Sequence, residues 1–164
     1  MAHKILVAVD GTDESERALE YAAKMAREME DAHLTIFSVG EPVPNDFIEH
    51  DKLPEGETER EQLEKLWEGS DRFHAEHEQV RDKMFKRMVR RAEKLGMEPD
   101  HIDTKYASRE VSIPAEIVNE AEEGAYEAIC LGKHAHTGLK ELFHGSITDR
   151  VKRQAKDCAV WVVE

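Results

Sequence analysis

Two glycine-containing segments near the carboxyl end of the chain carry residue types that bind anions. Gly132-Lys133-His134-Ala135-His136 follows an apolar run that predicts a buried strand, and Gly145-Ser146-Ile147-Thr148 opens a predicted helix. Glycine lets a backbone approach an anion closely, and a helix N-terminus offers unpaired N–H groups and a favourable dipole. Lys133, His134 and His136 add side-chain donors. This order of elements indicates a phosphate site, although an isolated loop glycine is more commonly only a turn residue.

The loop after the first predicted strand supplies a second set of polar residues. Lys4–Val9 is a continuous apolar run, typical of a strand buried on both faces, and it ends at Asp10-Gly11-Thr12-Asp13. We expect Asp10 to bond a ribose or an adenine edge, or to help hold Mg²⁺; its alternative role is to cap the following turn. Asp13–Glu16 has the spacing of a capping box, which predicts the start of a helix.

Strand and helix patterns alternate along the chain, which predicts a single α/β domain over residues 1–164 with a mainly parallel sheet. The predicted strands are Lys4–Val9, His33–Val39, Ile102–Ala107, Ala128–Leu131 and Ala159–Val163. Helices are predicted after Asp13, over Glu57–Leu95 (one helix, or two joined near Gly69), over Pro114–Ala125 and after Ser146. The segment Glu41–Gly56, with three prolines and no periodicity, is predicted to be a loop.

The two polar loops are expected to meet at one crevice. In an open α/β sheet, ligands bind beyond the carboxyl ends of the strands, where the strand order reverses. The first strand and the strand ending at Leu131 are the most apolar, so we expect them to be central neighbours. Their following loops, Asp10–Asp13 and Gly132–Ser146, would then face each other, and this convergence favours a bound nucleotide.

Lys4–Gly11, the loop from Gly132, Gly145-Ser146 and the final strand resemble the universal stress protein family, over essentially the whole chain. The resemblance implies an open five-stranded parallel sheet of order 3-2-1-4-5 with helices on both faces, the adenine nucleotide alpha hydrolase-like fold. The ATP-binding branch of that family carries Gly, two residues, Gly, nine residues, then Gly-Ser or Gly-Thr. Gly132 and Gly145-Ser146 fit this spacing, and Ala135 replaces the middle glycine.

The resemblance implies a stress sensor or regulator, not an enzyme, that binds ATP, or AMP or ADP, together with Mg²⁺ held at Asp10 or Asp13. It also implies a homodimer formed through Ala159–Val163. Two alternatives are a dimeric interaction protein of the same fold without nucleotide binding, and a slow ATP hydrolase. The expected nucleotide-binding residues are Asp10, Gly11, Thr12, Asp13, Ser15, Val39, Gly132, Lys133, His134, Ala135, His136, Gly145, Ser146, Ile147 and Thr148.

Composition excludes several classes of partner. The 164 residues carry a net charge of -13, which argues against nucleic acid and against an anionic membrane surface. No apolar run approaches the roughly 20 residues that a membrane helix needs. The chain enters its first strand at once, which leaves no room for a signal peptide, and Cys130 and Cys158 lie in or beside apolar runs. We expect reduced thiols and a cytoplasmic protein.

Histidine pairs suggest weaker alternatives. His74 and His77 are spaced to share a helical face beside Glu78, but no third zinc ligand is evident. His134, His136 and His144 could together hold a metal, which we consider the less favoured role. Neither a strict P-loop nor the Gly-x-Ser-x-Gly context of a hydrolase nucleophile is found around Ser146, so we expect this residue to cap a helix and contact phosphate.

Overall fold

The computed structural model describes residues 2–40, 59–133 and 146–164, in which strands and helices alternate. The strands are β1 (His3–Ala8), β2 (Ala32–Gly40), β3 (Ile102–Ser108), β4 (Ala128–Gly132) and β5 (Ala159–Val163). The helices are α1 (Asp13–Ala26), α2 (Glu59–Lys94), α3 (Ile113–Glu123) and α4 (Ile147–Gln154), and a 3₁₀ turn, Pro99–His101, precedes β3. Each predicted strand is confirmed to within two residues at either end.

The five strands form one parallel sheet of order β3-β2-β1-β4-β5, as predicted. The chain runs outward from β1 through β2 to β3, then returns to the other side of β1 to place β4 and β5. The strand order therefore reverses between β1 and β4. At this reversal the crossover connections leave in opposite directions, so a crevice forms at the carboxyl ends of these two strands.

Helices cover both faces of the sheet, so each face has its own hydrophobic core. On one face, α1 and α2 bury Leu19 and Met88 against Val7 and Ile36. On the other face, α3 and α4 pack against a second set of strand residues; this cluster includes Leu6, Phe37, Ile117, Ile129, Leu131 and Val151. Burial on both faces explains why β1 and β4 are continuously apolar.

The N-cap of helix α1 lies one residue before the position that the predicted capping box gives it. Thr12, not Asp13, is the N-cap: its backbone is extended, and its side-chain oxygen accepts a hydrogen bond from the Ser15 amide at 3.3 Å. Asp13 is already helical, and with Glu14 and Glu16 it places negative charge in the first turn, where the helix dipole favours it. The prediction was wrong because two candidate caps lie side by side in the sequence.

Helix α2 is continuous through Gly69, so the single-helix alternative is confirmed. It ends at Lys94, and Gly96 just beyond it has a φ of +101°, which allows the Met97 amide to donate back to the Ala92 carbonyl at 3.2 Å. Its main contacts are with α1, β2 and β3, away from β5. No helix in the described ranges is both long and apolar enough to cross a membrane.

Both cysteines are free thiols, as predicted. Cys130 is fully buried in β4, where burial raises the pKa of its thiol to about 12 and its Sγ donates to the Ala18 carbonyl at 3.4 Å. Cys158 is partly buried, and burial raises the pKa of its thiol as well. Cys130 belongs to the core between the sheet and helices α1 and α2, and Cys158 packs against the core on the other face, so both residues contribute to packing.

Candidate nucleotide site

A crevice opens at the carboxyl ends of β1 and β4, at the point of strand reversal. It is lined by strand ends and by the first turns of α1, α3 and α4, which all point their N-termini towards this side of the sheet. The lining residues are Ala8, Val9, Asp10, Thr12, Ser15, Phe37, Val39, Ile113, Ile117, Leu131, Gly132 and Ile147. The crevice thus lies at the position where the sheet topology predicts a ligand site.

The lining of the crevice has an apolar part and a polar part. The apolar part is a hydrophobic slot lined by Phe37 and Val39 from β2 and by Ile113 and Ile117 from α3. The polar part comes from the loop that follows β1 and from the start of α1. A slot of this kind suits a flat, largely apolar ring system with a few polar groups at its edge.

Asp10 organises the loop after β1. Its Oδ1 accepts hydrogen bonds from the Thr12 amide at 3.0 Å and from the Thr12 hydroxyl at 2.5 Å. Gly11 between them has a φ of +83°, which favours glycine, and its carbonyl accepts from the Arg87 guanidinium of α2 at 3.3 Å. Asp10 therefore caps the turn through Oδ1, while Oδ2 has no hydrogen bond to any described residue and remains available to a ligand.

Ser15 ties this loop to α1. Its hydroxyl donates to the Thr12 carbonyl at 2.9 Å and accepts from the Asp10 amide at 3.3 Å. The side chain is buried, with 5% of its surface exposed. Because both capacities of the hydroxyl are used within the loop, Ser15 fixes the position of Asp10 and Thr12.

A side-chain hydrogen bond connects the end of β4 to the start of α4. The Thr148 hydroxyl donates to the Gly132 carbonyl at 3.0 Å, with a longer contact of 3.4 Å to the Lys133 carbonyl. Ser146 is the N-cap of α4, as predicted, and accepts from the Asp149 amide at 3.1 Å. The helix N-terminus is thereby held beside the end of β4, next to the crevice.

Gly132 is constrained by packing as well as by its place in the site. A Cβ at this position would lie 2.7 Å from the Glu14 carbonyl oxygen and 2.8 Å from its carbonyl carbon. Those are backbone atoms of the first turn of α1, which cannot move without moving the helix. The glycine therefore allows α1 and β4 to approach closely at the edge of the crevice.

Comparison with known proteins identifies the family. A sequence profile described as the universal stress protein family matches residues 1–164. Universal stress protein YxiE of Bacillus subtilis (strain 168) is 31% identical over 177 residues, covering 99% of both chains. The chain belongs to the universal stress protein family.

Solved structures of universal stress proteins share the fold. One, a universal stress protein in complex with cAMP, has a TM-score of 0.63 and 19% identity over 99% of this chain and 97% of its own. The Archaeoglobus fulgidus universal stress protein in complex with dAMP has a TM-score of 0.55 and 22% identity, over 99% and 98%. UspA from Lactobacillus plantarum has a TM-score of 0.64 and 22% identity, over 99% and 97%.

The predicted site of this universal stress protein is assembled in part within the described residues. Six predicted residues line the crevice: Asp10, Thr12, Ser15, Val39, Gly132 and Ile147. Gly11, Asp13, Ser146 and Thr148 lie directly beside those six in the chain. His134, Ala135, His136 and Gly145, together with His144 of the alternative metal cluster, lie outside the described residues.

Two predicted ligand contacts take other partners. The Lys133 ammonium pairs with the Glu164 carboxylate, and the Lys133 amide donates to the Val163 carbonyl at 2.8 Å, so this residue is engaged with β5. The Ser146 hydroxyl lies 3.1 Å from Asp149 Oδ2, to which it donates, and Lys152 and Ser146 together hold the pKa of Asp149 below its usual range. Either side chain would have to change partner to meet a phosphate.

Val39 of the apolar slot was among the predicted residues, whereas Phe37, Ile113 and Ile117 were not predicted. Phe37 lies two residues before Val39 on the same face of β2, so strand alternation could have indicated it. Ile113 and Ile117 are one helical turn apart at the start of α3, and their meeting with β2 depends on the sheet order. His74 and His77 are exposed on α2.

Proposed function

We propose that this universal stress protein binds an adenine nucleotide in the crevice between β1 and β4. The observation that carries the proposal is the position of an apolar slot, a carboxylate and a helix N-terminus around one crevice at the strand reversal. Adenine, ribose and phosphate require these three environments in that order. Complexes of related structures with cAMP and dAMP support the same class of ligand.

The base is proposed to lie in the slot between Val39 and Ile117. Burial of its ring against aliphatic side chains supplies affinity, and the backbone at the ends of β1 and β2 supplies polar groups at the rim. Asp10 Oδ2 then accepts a hydrogen bond from the ribose or the adenine edge. Because Thr12 already fixes the carboxylate through Oδ1, little side-chain entropy is lost when the ligand binds.

The phosphates are proposed to meet the N-terminus of α4 and the backbone near Gly132. Thr148 holds these two elements together, so amides of the first helical turn are presented beside the strand end. ATP with Mg²⁺ is the proposed form, with Asp10 or Asp13 near the ion. Ala135 lies outside the described residues, so the affinity measured in solution decides between nucleotide binding and the alternative of a non-binding protein.

We propose a sensor or regulator in the cytoplasm, with no rapid chemistry on the nucleotide. Among the lining residues that the structure describes there is no lysine, arginine or histidine to clamp a phosphate in a transition state. Slow hydrolysis is the second candidate, and release of inorganic phosphate over multiple turnovers would identify it. Both cysteines are free thiols, which is consistent with a reducing compartment.

Calorimetric titration with ATP and Mg²⁺, repeated with AMP, tests the proposal. Val39→Asp places a charge against the proposed base and should weaken binding of both nucleotides at least about tenfold, since burying an unpaired carboxylate is costly. Val80→Asp is the matched control, because Val80 is 70% exposed on α2, away from the crevice. It should leave affinity unchanged.

The two nucleotides report on different parts of the site. If Val39→Asp weakens the binding of AMP as well as of ATP, the result supports a base in the slot. AMP has only one phosphate, so its affinity depends more on the base. If wild-type protein binds neither nucleotide at millimolar concentration, the proposal is wrong. Equal affinities of wild type and a folded Val39→Asp variant would place the nucleotide elsewhere. Circular dichroism of each variant verifies the fold.

A further inference from the structure

Three polar side chains converge at the opposite end of the sheet from the crevice. Asp31 immediately precedes β2, His33 is the second residue of β2, and His101 ends the 3₁₀ turn before β3. One ligand atom from each lies within 4.8 Å of the other two. The pairing of Leu34 with Ile102 places the two histidines side by side, and their ring centroids are 4.5 Å apart.

We propose that Asp31, His33 and His101 bind a divalent transition-metal ion, with Zn²⁺ as the best match. Imidazole nitrogens select zinc, copper or nickel over magnesium and calcium, which prefer all-oxygen sites. Two histidines and one carboxylate form a three-ligand set that leaves one tetrahedral position for water. This site is separate from any Mg²⁺ that accompanies a nucleotide.

The geometry needs only a small side-chain adjustment. Ligand atoms in a tetrahedral zinc site are about 3.4 Å apart, given metal–ligand distances near 2.1 Å. His33 Nε2 and Asp31 Oδ1 are already 3.8 Å apart, and the largest separation in the cluster is below 4.8 Å. The His33 and Asp31 side chains are 32% and 57% exposed, so both can rotate to close this gap and an ion can enter.

The backbone holds the three residues in place. The Asp31 carbonyl accepts from the His3 amide of β1 at 3.1 Å, and the His101 amide donates to the Glu98 carbonyl at 3.0 Å. Asp31 has a φ of +57°, which aspartate and asparagine adopt more readily than most residues. The site is therefore organised by the start of two paired strands before any ion binds.

The surrounding charge favours a cation. Lys4 is the register partner of His33, but its ammonium donates to the Gly124 carbonyl and lies over the Tyr126 ring, 4.8 Å from the centroid. Asp100 and Asp103 lie close to His101 in the sequence, and the whole chain has a net charge of -13. The Lys4 ammonium on the adjoining strand β1 is thus bound by other groups, so it does not occupy the place of a metal ion.

Strand β2 separates this cluster from the nucleotide crevice. His33 lies near the amino end of β2 and Val39 near its carboxyl end, about 20 Å apart at the rise of an extended strand. The metal site and the nucleotide site therefore share no residue. Zinc binding does not depend on the proposed function, and each can fail without the other.

Calorimetry of the chelator-treated full chain with ZnCl₂ tests the site, with CoCl₂ as a spectroscopic probe. We expect one high-affinity equivalent of zinc, and visible absorption from tetrahedral cobalt. His101→Gln and His33→Gln should each lower the affinity of this equivalent at least about tenfold, because each removes a direct ligand. Asp31→Asn, which suits the same backbone conformation, should weaken it less.

His3→Gln is the matched control. His3 lies at the same end of the sheet, and its Nδ1 is 2.8 Å from a Glu127 carboxylate oxygen, without a second imidazole from the described residues. This variant should bind zinc like the wild type. A His134→Gln/His136→Gln variant should also retain the high-affinity equivalent, since the proposed site does not use those residues.

Thermal melting supplies an independent readout. Zinc should raise the melting temperature of the wild type and of His3→Gln more than that of His101→Gln, because stabilisation by a ligand increases with its affinity for the folded protein. Unchanged zinc affinity in folded His101→Gln and His33→Gln variants would overturn the proposal. Loss of the high-affinity equivalent in the His134→Gln/His136→Gln variant would overturn it as well. If His33→Gln is unfolded, His101→Gln alone decides.

Discussion

Gly132 shows that one residue of the site can be required for two reasons. It was predicted to let the backbone approach a phosphate, and the structure shows that a Cβ would collide with the Glu14 backbone of α1 at 2.7 Å. Packing therefore demands glycine here even without a ligand. A loss of nucleotide binding in a Gly132 variant could arise from either cause, so stability has to be measured beside affinity.

We predict that Gly132→Ala destabilises the protein by about 1–3 kcal/mol, the usual cost of an overpacked position. Urea unfolding followed by circular dichroism measures the change. Gly69→Ala is the control, since Gly69 lies inside α2 and alanine should stabilise a helix interior by up to about 1 kcal/mol. A Gly132→Ala protein as stable as the wild type would show that α1 shifts easily.

The site residues predicted from the sequence are residue types that bind ligands or begin helices. Asp10 and Gly132 line the crevice at the carboxyl ends of β1 and β4, and Ser146 is the N-cap of α4. Lys133 could donate to an anion by its type alone, but its pairing with Glu164 depends on β5 ending beside β4. No local pattern contains that information.

At the scale of the element, a partly buried polar cluster connects α3 to the sheet. Glu120 of α3 is buried, and its two carboxylate oxygens lie 2.8 and 2.7 Å from the Lys105 ammonium of β3. The Tyr126 hydroxyl donates to Thr35 at 3.1 Å, with a longer contact of 3.3 Å to Glu120. This cluster positions the helix whose first turn supplies Ile113 to the crevice.

The cluster predicts a loss of stability at alkaline pH. Burial raises the pKa of Tyr126 above its ordinary value of 10.0, and the hydrogen bond to Glu120 raises the pKa of Lys105 above 10.5. Both groups hold their protons more tightly in the folded chain, so their stabilisation is complete below pH 10 and declines as pH rises further. Lys105 is largely exposed, so Tyr126 should contribute most of the change.

Urea unfolding between pH 8 and pH 11 measures this decline. Tyr126→Phe removes the titrating hydroxyl and should flatten the dependence above pH 10, while lowering stability at neutral pH because Thr35 and Glu120 lose a partner. Tyr21→Phe serves as the control, because Tyr21 is 44% exposed. A Tyr126→Phe variant with the same alkaline slope as the wild type would assign the decline to other groups.

Elements were predicted well where periodicity is strong and less well at their boundaries. The apolar runs of β1 and β4 identified strands because both faces are buried. Thr12 and Asp13 are both residue types that cap helices. The sequence therefore did not indicate which of the two has the extended backbone of the N-cap. Predicting the slot between β2 and α3 requires knowing which helix covers which strand. The periodicity of a single segment does not contain this information.

At the scale of the whole molecule, β5 leaves one edge of the sheet open in the described structure. Ala159–Val163 pairs only with β4 within the described residues, and Val162 is 38% exposed. Helix α2 packs towards β2 and β3, so its main contacts lie away from the β5 edge. We propose a homodimer formed by β5 across a two-fold axis, since an apolar edge strand invites pairing.

Val162→Pro tests this dimer without disturbing β4. The Ala159 amide and the Val163 carbonyl both bond towards β4, at 2.8 Å each, so strand alternation directs the Val162 amide to the open edge. Light scattering should show a dimeric wild type and a monomeric, folded Val162→Pro variant. Trp161→Pro, whose amide faces β4, should instead unfold the protein. A monomeric wild type at micromolar concentration would contradict the proposal.

The pairing of β1 has a consequence for the order in which the chain folds. β1 meets β2 after one helix, but Val7 pairs with Cys130 only after most of the chain has emerged from the ribosome. Contacts so distant in sequence are slow to form, because a long loop must close first. Until β4 is synthesised, a nascent β1-α1-β2 unit therefore has one strand edge of β1 without its partner, and an unpaired edge of this kind is prone to premature association.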